Sequence, residues 1–178
     1  NAIYGITIDN RLIAINRETG EEIWIQIGIT ENAGVYGGSV PAVDGDVVIA
    51  AFSSGELTAF RKENGLALWS DSLSRTSRLT PLATLADIDG HPVVDCGRDY
   101  AVSHAGSIVA IDLLTGQRAW EGNVASAKTP WLAGNFGFVV TVDAEIAAFS
   151  LIDGRVRWAT RLQKFEKQNK RKGLISWT

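Results

Sequence analysis

Chemistry in this 178-residue chain would have to rest on very few side chains: two histidines, one cysteine, an Asp-x-Asp pair and one basic run. His91 directly precedes a proline that opens a strand, and His104 sits in a turn, so neither is read as a metal ligand or an acid–base group. Cys96 takes a turn position that Gly45 and Gly134 hold elsewhere, and reads as a plain thiol rather than a nucleophile. A lone cysteine also excludes an internal disulfide and any multi-cysteine metal centre. Asp87 and Asp89 admit two readings from the residues alone. They could ligate calcium, although the glycine and distal glutamate of a full calcium loop are missing, or they could keep a loop solvated. Residues 161–172 hold six Lys or Arg and one Glu, a local charge of +5 in a chain whose formal net charge is −3. Such a run could meet nucleic acid or anionic lipid headgroups; with Phe165 as its sole aromatic it also reads as a solvated loop, and no nucleic-acid partner is expected. The expectation is therefore no catalytic residue, no metal and no cofactor.

The elements that carry these residues follow from composition and from a repeat. Hydrophobic residues make up 46% and charged residues 21%, the balance of a soluble globular protein. Apolar runs are strand-length and broken by turn residues, so neither a transmembrane helix nor a signal peptide is expected. The chain contains no Met, and it reads as a piece of a longer protein whose export signal would lie outside it.

One eleven-residue frame returns four times: Ala14 to Trp24, Ala59 to Trp69, Ala110 to Trp120 and Ala148 to Trp158. Ala, Gly and Trp keep their offsets in every copy, with Thr19-Gly20, Asn64-Gly65, Thr115-Gly116 and Asp153-Gly154 as turn dipeptides. Glycine there supplies the positive φ of a tight turn, so each frame predicts a hairpin. The small Ala leaves room for a neighbour and the Trp offers a large flat face to fill the gap between stacked sheets. All four tryptophans are expected to be buried. Fourteen residues before each Trp stands another turn position, Asn10, Gly55, Gly106 or Ala144, preceded by apolar runs that suit strands buried on both faces. Twenty-eight residues before the last three stand Pro41, Pro92 and Pro130.

The unit is thus four strands and three hairpins, repeated at propeller-blade spacing. The predicted fold is all-β, a propeller of four-stranded antiparallel blades. Residues 1–24 form a truncated blade, 41–69, 92–120 and 130–158 form complete ones, and 174–178 form the opening strand of the next. About four blades are present; they could close on themselves with residues 174–178 completing the first blade, but the reading preferred from the usual range of blade numbers is half of a larger ring. The linker from Ser70 to His91 is long for a compact domain and is a candidate functional loop.

The frame Ala-x-[Asp/Asn]-x-x-Thr-Gly-x-x-x-Trp resembles the tryptophan-docking motif of quinoprotein-type propellers; the copies at Ala14 and Ala110 match in full, and those at Ala59 and Ala148 depart from it at Arg61, Asn64, Ser150 and Asp153. Leu85-Ala-Asp87-Ile-Asp89-Gly-His-Pro92-Val-Val, Ala110-Ile-Asp112-Leu-Leu-Thr-Gly and Asp143-Ala-Glu-Ile-Ala-Ala together resemble the BamB family, propeller lipoproteins of the outer-membrane β-barrel assembly (BAM) machinery. That resemblance implies an eight-bladed ring, lipid-anchored at the periplasmic face of the outer membrane of a Gram-negative bacterium. It implies a non-catalytic scaffold that binds the periplasmic domains of the barrel-forming subunit, BamA. Carried over by motif, the partner-binding residues are Asp87 and Asp89 with Leu85. The preceding linker offers Val35 and Tyr36, where the family's segment also has an arginine that this chain lacks. The competing class is a fragment of a quinoprotein dehydrogenase, for which a vicinal cysteine pair and calcium ligands would be expected. Two half-rings could also pair head to tail, each lending residues 174–178 to the other's first blade.

Overall fold

The computed structural model describes residues 2–28, 39–73, 88 and 90–162; residues 174–178 lie outside this set. Every regular element in it is a strand. The first sheet holds β1 (Ala2–Ile6), β2 (Arg11–Asn16) and β3 (Glu22–Ile27). The second holds β4 (Ala42–Asp44), β5 (Val47–Ala51), β6 (Glu56–Arg61) and β7 (Ala67–Ser72). The third holds β8 (Val93–Asp95), β9 (Arg98–Val102), β10 (Ile108–Asp112) and β11 (Arg118–Gly122). The fourth holds β12 (Trp131–Ala133), β13 (Phe136–Val140), β14 (Glu145–Ser150) and β15 (Val156–Arg161). Each sheet is an antiparallel meander in chain order, one three-stranded and three four-stranded, and the four stack as the blades of a propeller. The outer strands run two or three residues past their tryptophans. No helix among the described residues is long and apolar enough to cross a membrane.

The repeated frame explains the register. In all four sheets the frame alanine pairs directly with the frame tryptophan, and the ladder slips by one residue just after the alanine. The turn that follows is wider than the two-residue hairpin its dipeptides predict. In the first copy the Asn16 and Glu21 backbones close it, with Gly20 at φ 75° donating its amide to the Asn16 carbonyl at 2.9 Å. The side chain at the third frame position makes the wider turn possible by accepting from the first amides beyond the strand. Asp112 Oδ1 takes the amides of Leu114 and Thr115 at 3.1 and 2.9 Å and the Thr115 hydroxyl at 2.9 Å. Asn16 Oδ1 does the same with Glu18 and Thr19. Where the frame departs from pattern the staple thins: Ser150 Oγ accepts only from Ile152, and beside Arg61 the accepting is done by Asn64, from Leu66.

The core is three seams, each between neighbouring blades. Leu12, Ala14 and Trp24 meet Val48, Ala50, Phe52 and Phe60 in the first seam. Ile49, Leu57 and Ala59 meet Ala101, Val109, Ile111 and Leu113 in the second. Tyr100, Val102, Ile108 and Ala110 meet Val139, Ala147 and Phe149 in the third. Strands β5 and β9, with a seam on either side, are buried on both faces as expected. Strand β1 instead alternates, with Ile3 55% exposed, because its far face meets no other described blade. The frame glycines are where the close packing is decided. A Cβ on Gly116 would stand 2.5 Å from the Trp69 side chain, and one on Gly65 would stand 2.7 Å from the Trp24 ring.

Candidate functional site

Trp24, Trp69 and Trp120 each dock on the blade after their own. Trp24 Nε1 donates to the Lys62 carbonyl at 3.1 Å, Trp69 Nε1 to Leu113 at 2.9 Å and Trp120 Nε1 to Leu151 at 2.9 Å. The acceptor is the fourth frame position every time, and the ring covers the frame glycine three residues further on. Buried aromatic N–H groups require a partner, and a main-chain carbonyl fixed by a hairpin supplies one whatever side chain stands there. The expectation that all four tryptophans are buried needs correction: Trp24 is, Trp69 and Trp120 are half-buried, and Trp158 is 48% exposed. The reason is that burial comes from the following blade, and Trp158 has none among the described residues.

These docks align the rims. On one rim lie the frame turns and the first turns of the blades, tied by bonds such as Leu113 N–H to the Gly97 carbonyl at 3.1 Å. On the other rim lie the second turns, where Asn10, Gly55, Gly106 and Ala144 all take positive φ. The described ends of the inter-blade linkers run beside this second set: Gly28, Leu73, Ser126 and Leu162 donate their amides to Asn10, Gly55, Ser103 and Ala144. The inter-blade linkers therefore leave and enter at a single rim.

Leu85, Asp87, Asp89, Val35 and Tyr36, the residues expected to touch a partner, lie outside the described residues, as does the basic run after Leu162. Their flanks are held firmly. Leu73 and Ile88, at the two ends of the long linker, are both 1% exposed within the second seam. Gly90 is buried so closely against the Lys128 carbonyl that a Cβ would come within 3.0 Å of it. Around it the segments that open three successive blades are laced together. Ser39 Oγ donates to the Gly90 carbonyl at 3.4 Å, Val40 N–H to His91 Nδ1 at 2.8 Å, and His91 N–H to Thr129 Oγ1 at 2.9 Å. His91 is thus a clasp between blades, a role that its place before a proline did not signal. His104 is an exposed turn residue, and Cys96 is an exposed thiol at φ 48°. Among the described residues no three His, Cys, Asp or Glu side chains converge to hold a metal ion.

Two charged features were also hidden from the sequence. Arg118 reaches from β11 to the neighbouring blade, where Nε and Nη2 grip Asp71 at 2.6 and 2.9 Å and Nη2 also meets the Ser72 carbonyl at 2.7 Å; Nη1 holds Glu121 at 2.7 Å. Those hydrogen bonds donated to Asp71 raise the guanidinium's pKa further. Asp99 is fully buried on the face of β9 that carries Ala101, beside Val94 and Ile111, in the apolar second seam. Neither of its oxygens meets a hydrogen-bond partner. Burial pushes its pKa up to about 8, and the Tyr100 amide opposes this from outside hydrogen-bond geometry.

With this architecture in view, the profile of the family described as outer membrane protein assembly factor BamB matches residues 1–160. A BamB of Vibrio cholerae is 30% identical over 141 residues, covering 79% of this chain and 36% of its own. The crystal structure of BamB from Moraxella catarrhalis superposes with a TM-score of 0.83 at 22% identity, covering 92% of this chain and 50% of that one. The quinohemoprotein alcohol dehydrogenase of Comamonas testosteroni superposes at 0.77 with 15% identity, over 90% of this chain and 33% of that one, a similarity of fold alone. The chain spans about two fifths of the length of the curated relatives it matches.

Proposed function

Since this chain belongs to the BamB family of outer membrane protein assembly factors, we propose that it serves as a non-catalytic scaffold in the assembly of β-barrel proteins into the outer membrane. Its partner on this reading is the barrel-forming subunit of that machinery, bound through its periplasmic domains. Its place is the periplasmic face of the outer membrane, reached through a lipid anchor on the parent protein. The observation that carries the reading is the match of the family profile along residues 1–160.

The geometry suits a scaffold. Partner binding by a propeller needs loops presented at one rim by a frame that does not yield, and the linkers here leave and enter at one rim with their ends fixed in the core. Asp87 and Asp89 flank Ile88 in sequence, and that isoleucine is planted in the second seam. We assign partner contact to Asp87, Asp89 and Leu85, and a second contact to Val35 and Tyr36. A rim acidic pair steers and orients a basic partner surface more than it adds raw affinity.

The test is a titration of the periplasmic domains of a barrel-forming subunit into the purified chain, by calorimetry. Binding that weakens at least about tenfold in the Asp87→Lys, Asp89→Lys double variant, and weakens with added salt, is expected. The dehydrogenase reading is tested alongside: alcohol or sugar oxidation that depends on added quinone cofactor and calcium, with no binding of those domains, would overturn the scaffold.

A further inference from the structure

Three successive blades open on a proline, and the residues before those prolines are joined in one hydrogen-bonded belt. Val40, His91 and Thr129 directly precede Pro41, Pro92 and Pro130. The Val40 amide donates to His91 Nδ1 at 2.8 Å, and the His91 amide donates to Thr129 Oγ1 at 2.9 Å. A residue before proline is held in extended backbone, so its amide is not taken up by a local helical turn and needs an acceptor from elsewhere. In this belt the next blade supplies it, from the side chain at the equivalent place.

The two acceptors differ in one respect. A hydroxyl accepts at any ordinary pH, whereas an imidazole nitrogen accepts only while it carries no proton. The bond from Val40 therefore requires a neutral His91 with its proton on Nε2. The other bond between these two segments among the described residues is the long one, 3.4 Å, from the Ser39 hydroxyl to the Gly90 carbonyl. His91 is only half-buried, so solvent can deliver a proton to it. Across residues 39–43, 90–94 and 128–133, which meet here, the one other ionisable residue is Lys128, and it is exposed. Asp87 and Asp89 precede His91 in sequence, while Asp44 and Asp95 end β4 and β8 toward the opposite rim.

We propose that His91 is a positioning residue of the linker rim that works as a proton-sensitive clasp. Neutral, it ties the segment entering β4 to the segment entering β8. Protonated at Nδ1, it turns an acceptor into a donor that faces the Val40 amide, and the two segments part. Histidine changes charge between about pH 5 and 8, so the clasp is set at about pH 7.5 and released at about pH 5.5. For binding, this rests on the scaffold reading: the two segments end the linkers assigned to partner contact, so acid should weaken the complex.

Hydrogen exchange of the free chain at those two pH values, corrected for intrinsic rates, tests the clasp without a partner. Protection of the Val40 amide should fall about three- to tenfold on acidification of the wild type, the worth of one hydrogen bond. His91→Asn, which keeps an acceptor that does not titrate, should protect the amide equally at both, and His91→Leu should protect it at neither. The second readout is a titration with the periplasmic domains of a barrel-forming subunit. On acidification the wild type should lose about three- to tenfold more affinity than His91→Asn, since titration of the partner itself cancels between the two. Wild-type protection that stays level, or that falls equally in either variant, would overturn the clasp. Exchange as expected with the same pH dependence of binding in both proteins would overturn its positioning role. Absence of binding by either protein at either pH would instead contradict the scaffold reading, and the exchange result would still decide the clasp.

Discussion

Asp99→Asn should stabilise this protein, and by an amount that grows with pH. Asp99 is fully buried with both oxygens unpartnered, and its pKa is raised from 3.8 to about 8. A carboxyl raised by folding contributes stability that is fully present below its unfolded pKa near 4 and lost as pH rises through about 8. Separation of about four pH units, at roughly 1.4 kcal/mol each, sets a ceiling of about 6 kcal/mol above pH 8. At pH 7 roughly three of those units are engaged, or about 4 kcal/mol. Asparagine keeps the size and polarity of the protonated acid but cannot ionise. Urea unfolding of both proteins, followed by tryptophan fluorescence at several pH values between 4 and 9, isolates the effect because other titrating groups cancel in the difference. The variant should match the wild type near pH 4 and exceed it by about 4 kcal/mol at pH 7. A difference that does not change with pH, or a wild-type advantage that grows with it, would refute the assignment of a proton-holding acid to the second seam.

Other substitutions probe the seams. Trp120→Ala should cost roughly 3 to 5 kcal/mol in the same unfolding assay, whereas Trp120→Phe, which keeps an aromatic ring but loses the bond to Leu151, should cost clearly less. Gly116→Ala should lower the melting temperature several degrees more than Gly20→Ala, since both meet the positive-φ penalty but only the first drives a methyl into a tryptophan. Ala144→Gly should raise stability by about 1 kcal/mol, because Ala144 holds φ 58° where two other blades have glycine. His91→Leu should lower stability by about 1 to 2 kcal/mol through the unpaired Val40 amide, and His91→Asn, which retains an acceptor, should recover much of it.

Much of the fold was legible because its determinants are local and periodic. Gly20, Gly65, Gly116 and Gly154 mark their turns by a backbone requirement that no other frame position shares, and the Ala–Trp offset fixes the register across the hairpin. What escaped depends on neighbours distant in sequence. Trp158 carries the same frame as Trp24, but exposure is decided by the blade that follows. Asp99, between Arg98 and Tyr100, stands just before the apolar run of its strand and carries no mark of burial along the chain; stacking against the second blade is what encloses it. The grip of Arg118 on Asp71 spans 47 residues, and the clasp at His91 joins three blades, so neither has a signature along the chain. The candidate contact residues Asp87 and Asp89 rest on family resemblance, and the structure adds the buried Ile88 between them and the clasp beside them.

Hydrogen exchange read by mass spectrometry, with and without the periplasmic domains of a barrel-forming subunit, tests the scaffold reading most directly. Binding through the linker rim predicts slowed exchange of amides in residues 81–91, and smaller protection around residues 33–38. The opposite rim, with the frame turns at Gly20, Gly65, Gly116 and Gly154, should exchange as in the free chain. Unchanged exchange throughout, or protection confined to those frame turns, would contradict the account.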